Sequence, residues 1–334
     1  MELRSIEVCA GAGGQALGLE RAGFEHVALV EIDSWACRTL RHNRPDWNVI
    51  EGDIKDFDGS PFEGQMDLLA GGVPCPPFSV AGKQLGREDE RDLFPQMLRL
   101  AREMKPRAVL IENVRGLLDP AFKGYRLQIE REFHSAGFRV QGWKLLNASD
   151  FGVPQLRPRV AMVALRDDVD GEFEWPECNG DSPSVGSALL EEVASRGWDG
   201  AKVWADRADS IAPTVVGGSR KHGGPDLGPT RAREAWAKLG VEGRTIAEEP
   251  PAADHEGPIR LTVRMASIVQ GFDPDEWTIV GRKTQAYRQV GNAFPPPVAE
   301  ALGHVIRAAL DGERVVSLKD TDTPRQEQLS VAVG

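Results

Sequence analysis

The chain has 334 residues, enough to bury a large core, and is expected to form two domains. With 41% hydrophobic and 27% charged residues it has a globular composition, and no apolar run is long enough to span a bilayer. The formal net charge of -11 excludes a uniformly basic nucleic-acid binder but leaves room for one basic cleft on an acidic body, because Arg220, Lys221 and His222 fall together and Arg231, Arg233 and Lys238 follow in the same segment.

Residues 5–9 read as a short strand, Gly11-Ala12-Gly13-Gly14 as a turn, and residues 15–22 as a helix stopped by Gly23. This order opens a nucleotide-binding α/β unit, in which glycines let the backbone approach a ligand and the helix start offers free amides; a tight turn with no ligand is the alternative. A second strand over residues 26–30 ends in Glu31, roughly 20 residues past the glycines, where an acid can accept both ribose hydroxyls. Helix 34–43 and strand 49–50 follow, and Asp53 then stands where an acid can bind the exocyclic amine of an adenine. Either acid can instead be a solvated strand-end carboxylate.

Residues 66–70 form an apolar run of the kind buried in a parallel sheet, and they lead into Gly71-Gly72-Val73-Pro74-Cys75-Pro76-Pro77-Phe78-Ser79. A cysteine there sits at the carboxyl edge of the sheet, where open α/β folds keep their ligands. The prolines stiffen the backbone around it, and the glycine-punctuated polar loop 82–92 is free to move. Cys75 can equally be an ordinary buried cysteine. Cys9, Cys37 and Cys178 are scattered with no CxxC pair, so neither zinc nor a disulfide framework is expected, and a reducing cytoplasm fits a chain with no signal-peptide pattern at residues 1–5.

Helix 93–105 is closed by Pro106, and strand 108–111 delivers Glu112-Asn113-Val114 to the same sheet edge. Partial desolvation there favours a protonated Glu112, unless an arginine such as Arg115 pairs with it. After helix 125–136, strands 138–146 and 160–165 flank Gln155-Leu156-Arg157-Pro158-Arg159, whose alternating arginines share a face suited to a carboxylate, a phosphate or a base carbonyl. From about residue 170 glycine, proline, serine and short strands replace the βα rhythm. Residues 211–216 lead into Gly217-Gly218-Ser219-Arg220-Lys221-His222, a glycine-rich basic loop suited to phosphates or base edges. A helix is expected over 231–239 and a linker at Glu248-Glu249-Pro250-Pro251. Order returns over 259–270, and Gln289-Val290-Gly291-Asn292-Ala293-Phe294 with three prolines precedes a helix over 298–310.

In order and spacing, Ala10 to Gly14, Glu31, Asp53, Pro74-Cys75, Glu112-Asn113-Val114, Gln155-x-Arg157-x-Arg159 and Gln289-Val290-Gly291-Asn292 together resemble the DNA cytosine-5 methyltransferases. The resemblance runs from Ser5 to about Leu310. It implies a Rossmann-like α/β domain binding S-adenosylmethionine, with no metal, and a smaller, irregular, β-rich target-recognition domain. The expected bounds are 1–174 completed by 286–314 for the catalytic domain, 175–258 for the recognition domain, 259–285 for a hinge and 315–334 for a disordered tail. The implied catalytic set is Cys75 as nucleophile, Glu112 on ring nitrogen 3 and the amino group, Arg159 on the 2-oxo group, and Arg157 positioning the base or lowering the thiol pKa. Cys9, Ala10, Gly11, Gly13, Gly14, Glu31, Ile32, Asp53, Ile54, Pro74, Leu93, Asn292 and Ala293 would touch the cofactor. Ser79, Lys83, Gln84, Thr214, Gly217, Gly218, Ser219, Arg220 and Lys221 would contact double-stranded DNA with its target base flipped out.

Departures from the family pattern are Cys9 for a phenylalanine beside the adenine, Glu7 for aspartate, Ile32 for tryptophan, Pro76 for glutamine, and Met265 for a glutamate after Arg264, which would remove a supporting ion pair. The resemblance also allows a cognate restriction endonuclease as partner, and a monomer is expected. The competing readings are a tRNA cytosine-5 methyltransferase, an inactive DNA-binding homologue, and an NAD-dependent dehydrogenase suggested only by the Gly11 turn.

Overall fold

The structure, a computed structural model, describes residues 2–74, 92–178, 180–217 and 225–312. Its centre is a seven-stranded sheet in the order β3-β2-β1-β4-β5-β7-β6. The strands are β1 (Leu3–Val8), β2 (Phe24–Glu31), β3 (Val49–Glu51), β4 (Leu68–Gly71), β5 (Ala108–Val114), β6 (Phe138–Asn147) and β7 (Pro158–Arg166). The first five run parallel, while β7 is antiparallel to β5 and to β6. The expected final strand pair is thus an antiparallel one, joined by the residues that carry Gln155 and Arg157.

Apolar residues on both faces of these strands explain the near-continuous hydrophobic runs. On one face Leu68, Ala70, Ala108, Leu110, Ala161 and Val163 pack against α1 (Gly14–Arg21) and α10 (Pro296–Asp311). On the other, Ile6, Val8, Leu69, Val109, Ile111 and Met162 meet α3 (Phe94–Met104) and α4 (Lys123–Ser135). Helix α2 (Ser34–Asn43) crosses from β2 to β3, and its first amides are capped by Asp33, which accepts from Trp35 N at 2.8 Å and Ala36 N at 3.2 Å.

The last helix joins the first through glycines. A Cβ on Gly14 would lie 2.0 Å from the Phe294 carbonyl oxygen, and one on Gly18 would lie 2.4 Å from that of Pro296. Only glycine lets the C-terminal segment come this close.

The small lobe differs from expectation. Instead of a β-rich domain, its described residues form helices α5 (Val185–Ala194), α6 (Ala201–Arg207) and α7 (Thr230–Lys238), with isolated bridges at Gln155 to Ala212 and Val241 to Ile259. The reason is an apolar repeat of four, Val185, Leu189 and Val193, which packs against buried Trp204 and Trp236. Residues 259–285, expected as a hinge, are packed. Ile259, Leu261 and Met265, with α8 (Val263–Val269), complete the small-lobe core, while Phe272 and Trp277 pack on the first lobe. Helix α9 (Lys283–Asn292) adds Tyr287 and Val290 to the same small-lobe core. Nor does Met265 leave Arg264 without an ion pair: Arg264 bridges Glu192 and, at 2.7 Å, Asp275.

Candidate active site

The carboxyl ends of β1, β2, β4 and β5 open onto one cavity of about 750 Å³. Its lining contains Cys9, Gly11, Glu31, Ile32, Asp53, Ile54, Pro74, Leu93, Glu112, Arg159, Asn292 and Ala293 of the expected residues. These come from segments spread between residues 9 and 293 and are brought together by the sheet order.

At one end, Glu31 accepts Gly11 N and Asp33 N, each at 2.7 Å, one on each carboxylate oxygen. Burial pushes its pKa up against these hydrogen bonds. Two backbone donors leave lone pairs on both oxygens for a vicinal diol. Asp53 accepts Lys55 N at 2.9 Å through Oδ1 and also lines the cavity. These two acceptors fit the ribose hydroxyls and the adenine amine of S-adenosylmethionine. Gly11 has a φ of 55° with open space where a side chain would be, so its glycine serves the left-handed turn. Gly13, at φ 84°, takes the same left-handed conformation, and it and Gly14 have a further role. Their missing side chains leave room for Trp277, Leu40 and Phe294, and they do not line the cavity, nor does Ala10.

Cys9 occupies a left-handed conformation, φ 54°, that is rare outside glycine. Burial, and then the acids Glu31, Asp53 and Glu7, push its thiol up to about 12, so it stays protonated. Cys37 is likewise raised to about 12 and Cys178 is raised, in both cases chiefly by burial. Ile32 is 68% exposed on the cavity wall.

At the other end, Arg159 Nε lies 2.9 Å from Glu112 Oε1. Arg159, and not Arg115, is therefore the described ionic partner of Glu112. Burial raises the Glu112 pKa, and Arg159 and then Arg157 oppose the rise. Asn113 donates from Nδ2 to the Val73 carbonyl at 2.9 Å, tying the approach to Pro74 onto β5. Cys75, Ser79, Lys83 and Gln84 lie outside the described residues, as do Gly218, Ser219, Arg220 and Lys221.

The structure places Arg157 apart from the cavity. It is fully buried, and its guanidinium donates to the carbonyls of Val215 (2.7 Å), Gly291 (2.8 Å) and Ala293 (2.7 Å). Gln155 accepts Val215 N at 2.6 Å and donates to the Val269 carbonyl and Gln270 Oε1. The two side chains grip both sides of Val215, beside the expected DNA-contacting Thr214. They bind the small lobe to the turn that carries Asn292. Gly217 presses on that turn, since a Cβ there would be 2.3 Å from Asn292 Oδ1. The spacing of Arg157 and Arg159 is the same-face pattern, but their side chains do different work.

Sequence reasoning missed Trp35, Gln285 and Arg288, which also line the cavity. Gln285 and Arg288 lie on α9, whose helical repeat holds only Ala286, Tyr287 and Val290 as buried apolar positions.

A sheet with β7 reversed and a ligand cavity at the strand ends define a methyltransferase of the Rossmann-like class. The fold matches that of a Spodoptera frugiperda DNMT2 mutant at a TM-score of 0.63 and 18% identity, over 91% of this chain and 99% of that one. The profile of the C-5 cytosine-specific DNA methylases matches residues 3–308. Type II methyltransferase M.NaeI of Lentzea aerocolonigenes is 54% identical over 93% of this chain and 76% of its own length, and M.NgoMIV of Neisseria gonorrhoeae is 53% identical over 94% and 100%. The chain belongs to the C-5 cytosine-specific DNA methylase family and is a DNA-cytosine-methylating enzyme. Among the described residues no helix is long and apolar enough to cross a membrane, and no cluster of three or more His, Cys, Asp or Glu could hold a metal ion.

Proposed function

We propose that this protein methylates carbon 5 of cytosine within a specific double-stranded DNA sequence, through a covalent Cys75 adduct on a flipped-out base. The observation that carries this reading is the Glu112 and Arg159 pair at 2.9 Å, on the wall of the cavity that Glu31, Asp53 and Pro74 also line. A base and a nucleoside cofactor can thus meet in one enclosure, beside the residue that precedes the nucleophile.

Carbon 5 of cytosine is a poor nucleophile. Addition of the Cys75 thiolate at carbon 6 breaks aromaticity and makes carbon 5 enamine-like. Glu112, whose pKa burial raises against the pull of Arg159, hydrogen-bonds ring nitrogen 3 and the amino group as negative charge develops on the ring. Arg159 binds the 2-oxo group while keeping Glu112 in place. Glu31 and Asp53 hold the ribose and the adenine amine of S-adenosylmethionine, which when bound supplies an electrophilic methyl group. After carbon 5 is methylated, a base removes its proton and the Cys75 bond breaks. Arg157 acts at one remove, by fixing the lobes. We place catalysis in residues 1–174 with 286–314, target reading in residues 175–258, and the protein in the cytoplasm. A companion restriction endonuclease is proposed by analogy with the type II names of the relatives.

The test is methyl transfer from labelled cofactor to duplex DNA, with tRNA as the competing substrate, followed by trapping on DNA containing 5-fluorocytosine. Cys75→Ser is expected to abolish methylation and to leave DNA binding, which rests mostly on phosphate contacts. An active wild-type enzyme that forms no adduct, or a Cys75→Ser variant with undiminished turnover, would sink the covalent scheme.

A further inference from the structure

Among the described residues two arginines line the cavity. Arg159 is committed to Glu112. Arg288, on α9, has no ion-pair or hydrogen-bond partner for its guanidinium among the described residues, and its Nε is buried without one. Its neighbour on the helix is fully engaged: Gln289 accepts from Thr39 Oγ1 at 2.6 Å and donates to the Val280 carbonyl at 2.7 Å. A guanidinium cannot escape desolvation by losing its proton. A cavity arginine with a buried, unpaired Nε is therefore prepared for an anion that arrives with a ligand.

Its neighbours point to which anion. A Cβ on Gly217 would lie 3.2 Å from the Arg288 carbonyl oxygen, so the Arg288 backbone runs alongside the small-lobe segment. That segment is fixed two residues earlier, at Val215, by Gln155 and Arg157. Arg288 is the cavity cation next to the lobe expected to read DNA, while Glu31 and Asp53 mark the cofactor end. A strand that delivers a base to Glu112 must run between the base cavity and the small lobe, and a phosphate flanks that nucleotide on each side. We infer that Arg288 is a positioning residue that holds a phosphate next to the extruded nucleotide. The inference rests on the DNA substrate proposed above.

The test uses full-length Arg288→Gln, with Arg288→Met as a second charge-free variant that keeps the stem, and Arg288→Lys as rescue. DNA affinity is measured against salt concentration on target and non-target duplexes, S-adenosylhomocysteine affinity separately, and KM for DNA against kcat. Loss of one charge-assisted phosphate contact should weaken DNA binding and raise KM for DNA by about tenfold and reduce the salt slope by about one. The loss should be larger on the target duplex, where a base is extruded, with S-adenosylhomocysteine affinity unchanged and the slope largely restored by Lys. Weaker S-adenosylhomocysteine binding with an unchanged DNA salt slope would overturn the inference and assign Arg288 to the cofactor carboxylate. An unchanged slope and KM in whichever charge-free variant folds would also overturn it. A wild-type protein that neither binds nor methylates duplex DNA would remove the functional reading itself, an outcome distinct from an active enzyme indifferent to Arg288.

Discussion

Replacing Arg157 by methionine separates a structural joint from a catalytic arginine. In the folded protein its guanidinium serves the Val215, Gly291 and Ala293 carbonyls and is fully buried. The Ala293 oxygen keeps Gln270 Nε2 as a donor, so two carbonyls lose the side-chain donor that Arg157 gives them. Each buried carbonyl left without a donor costs about 1–3 kcal/mol, or about 2–6 kcal/mol for the pair. Burial also pushes the Arg157 pKa well down, a sign that the charge itself is costly to keep there. Removing that charge returns part of the loss, which leaves a net destabilisation of about 2–3 kcal/mol. Urea unfolding should show this as a lower midpoint. Hydrogen exchange should locate it at the Val215 amide, which donates to Gln155 Oε1 and whose neighbouring carbonyl would lose Arg157. Turnover should fall along with S-adenosylhomocysteine affinity, because Gly291 and Ala293 line the cavity. Wild-type stability with turnover abolished would refute the joint and return Arg157 to the chemistry.

Two further substitutions probe other parts of the site. A Cβ on Gly72 would sit 3.2 Å from Glu112 Oε2, so Gly72→Ala must displace that carboxyl by a few tenths of an ångström. Steady-state kinetics should show kcat lowered by about tenfold with stability nearly unchanged, and a wild-type kcat would show that Glu112 tolerates the shift. Burial, and then Glu31, raise the Glu7 pKa well above the ordinary carboxylate value. Its contribution to stability is therefore complete below about pH 4 and is lost as pH rises through the raised native pKa. Glu7→Gln should flatten the decline in urea midpoint as pH rises above the ordinary carboxylate range, and an unaltered slope would show that Glu7 is ionised in the folded chain.

Much of the first lobe was legible because its signals are local. Strands buried on both faces appear as apolar runs; Glu31 and Glu112 each follow one directly, and Asp53 stands three residues past Ile50. The small lobe was less legible for a physical reason. Val185, Leu189 and Val193 form a helical stripe, but the glycines and prolines around it suggested irregular strands. The distinction between Arg157 and Arg159 was not legible at all. Arg157 finds its carbonyls 58, 134 and 136 residues away, and no pattern within Gln155-Leu156-Arg157-Pro158-Arg159 announces such partners. Arg288 was missed for a related reason: its place in the cavity depends on α9, a helix with few buried apolar positions to mark it.

The closure of α1 by Phe294 and α10 has a consequence for biosynthesis. On the ribosome, the first helix emerges almost three hundred residues ahead of the segment that covers it. Until then its apolar side is bare, and Asn292 and Ala293 are missing from the cavity wall. A half-made chain would therefore hold its cofactor poorly, and modification of the genome would wait for nearly complete polypeptides.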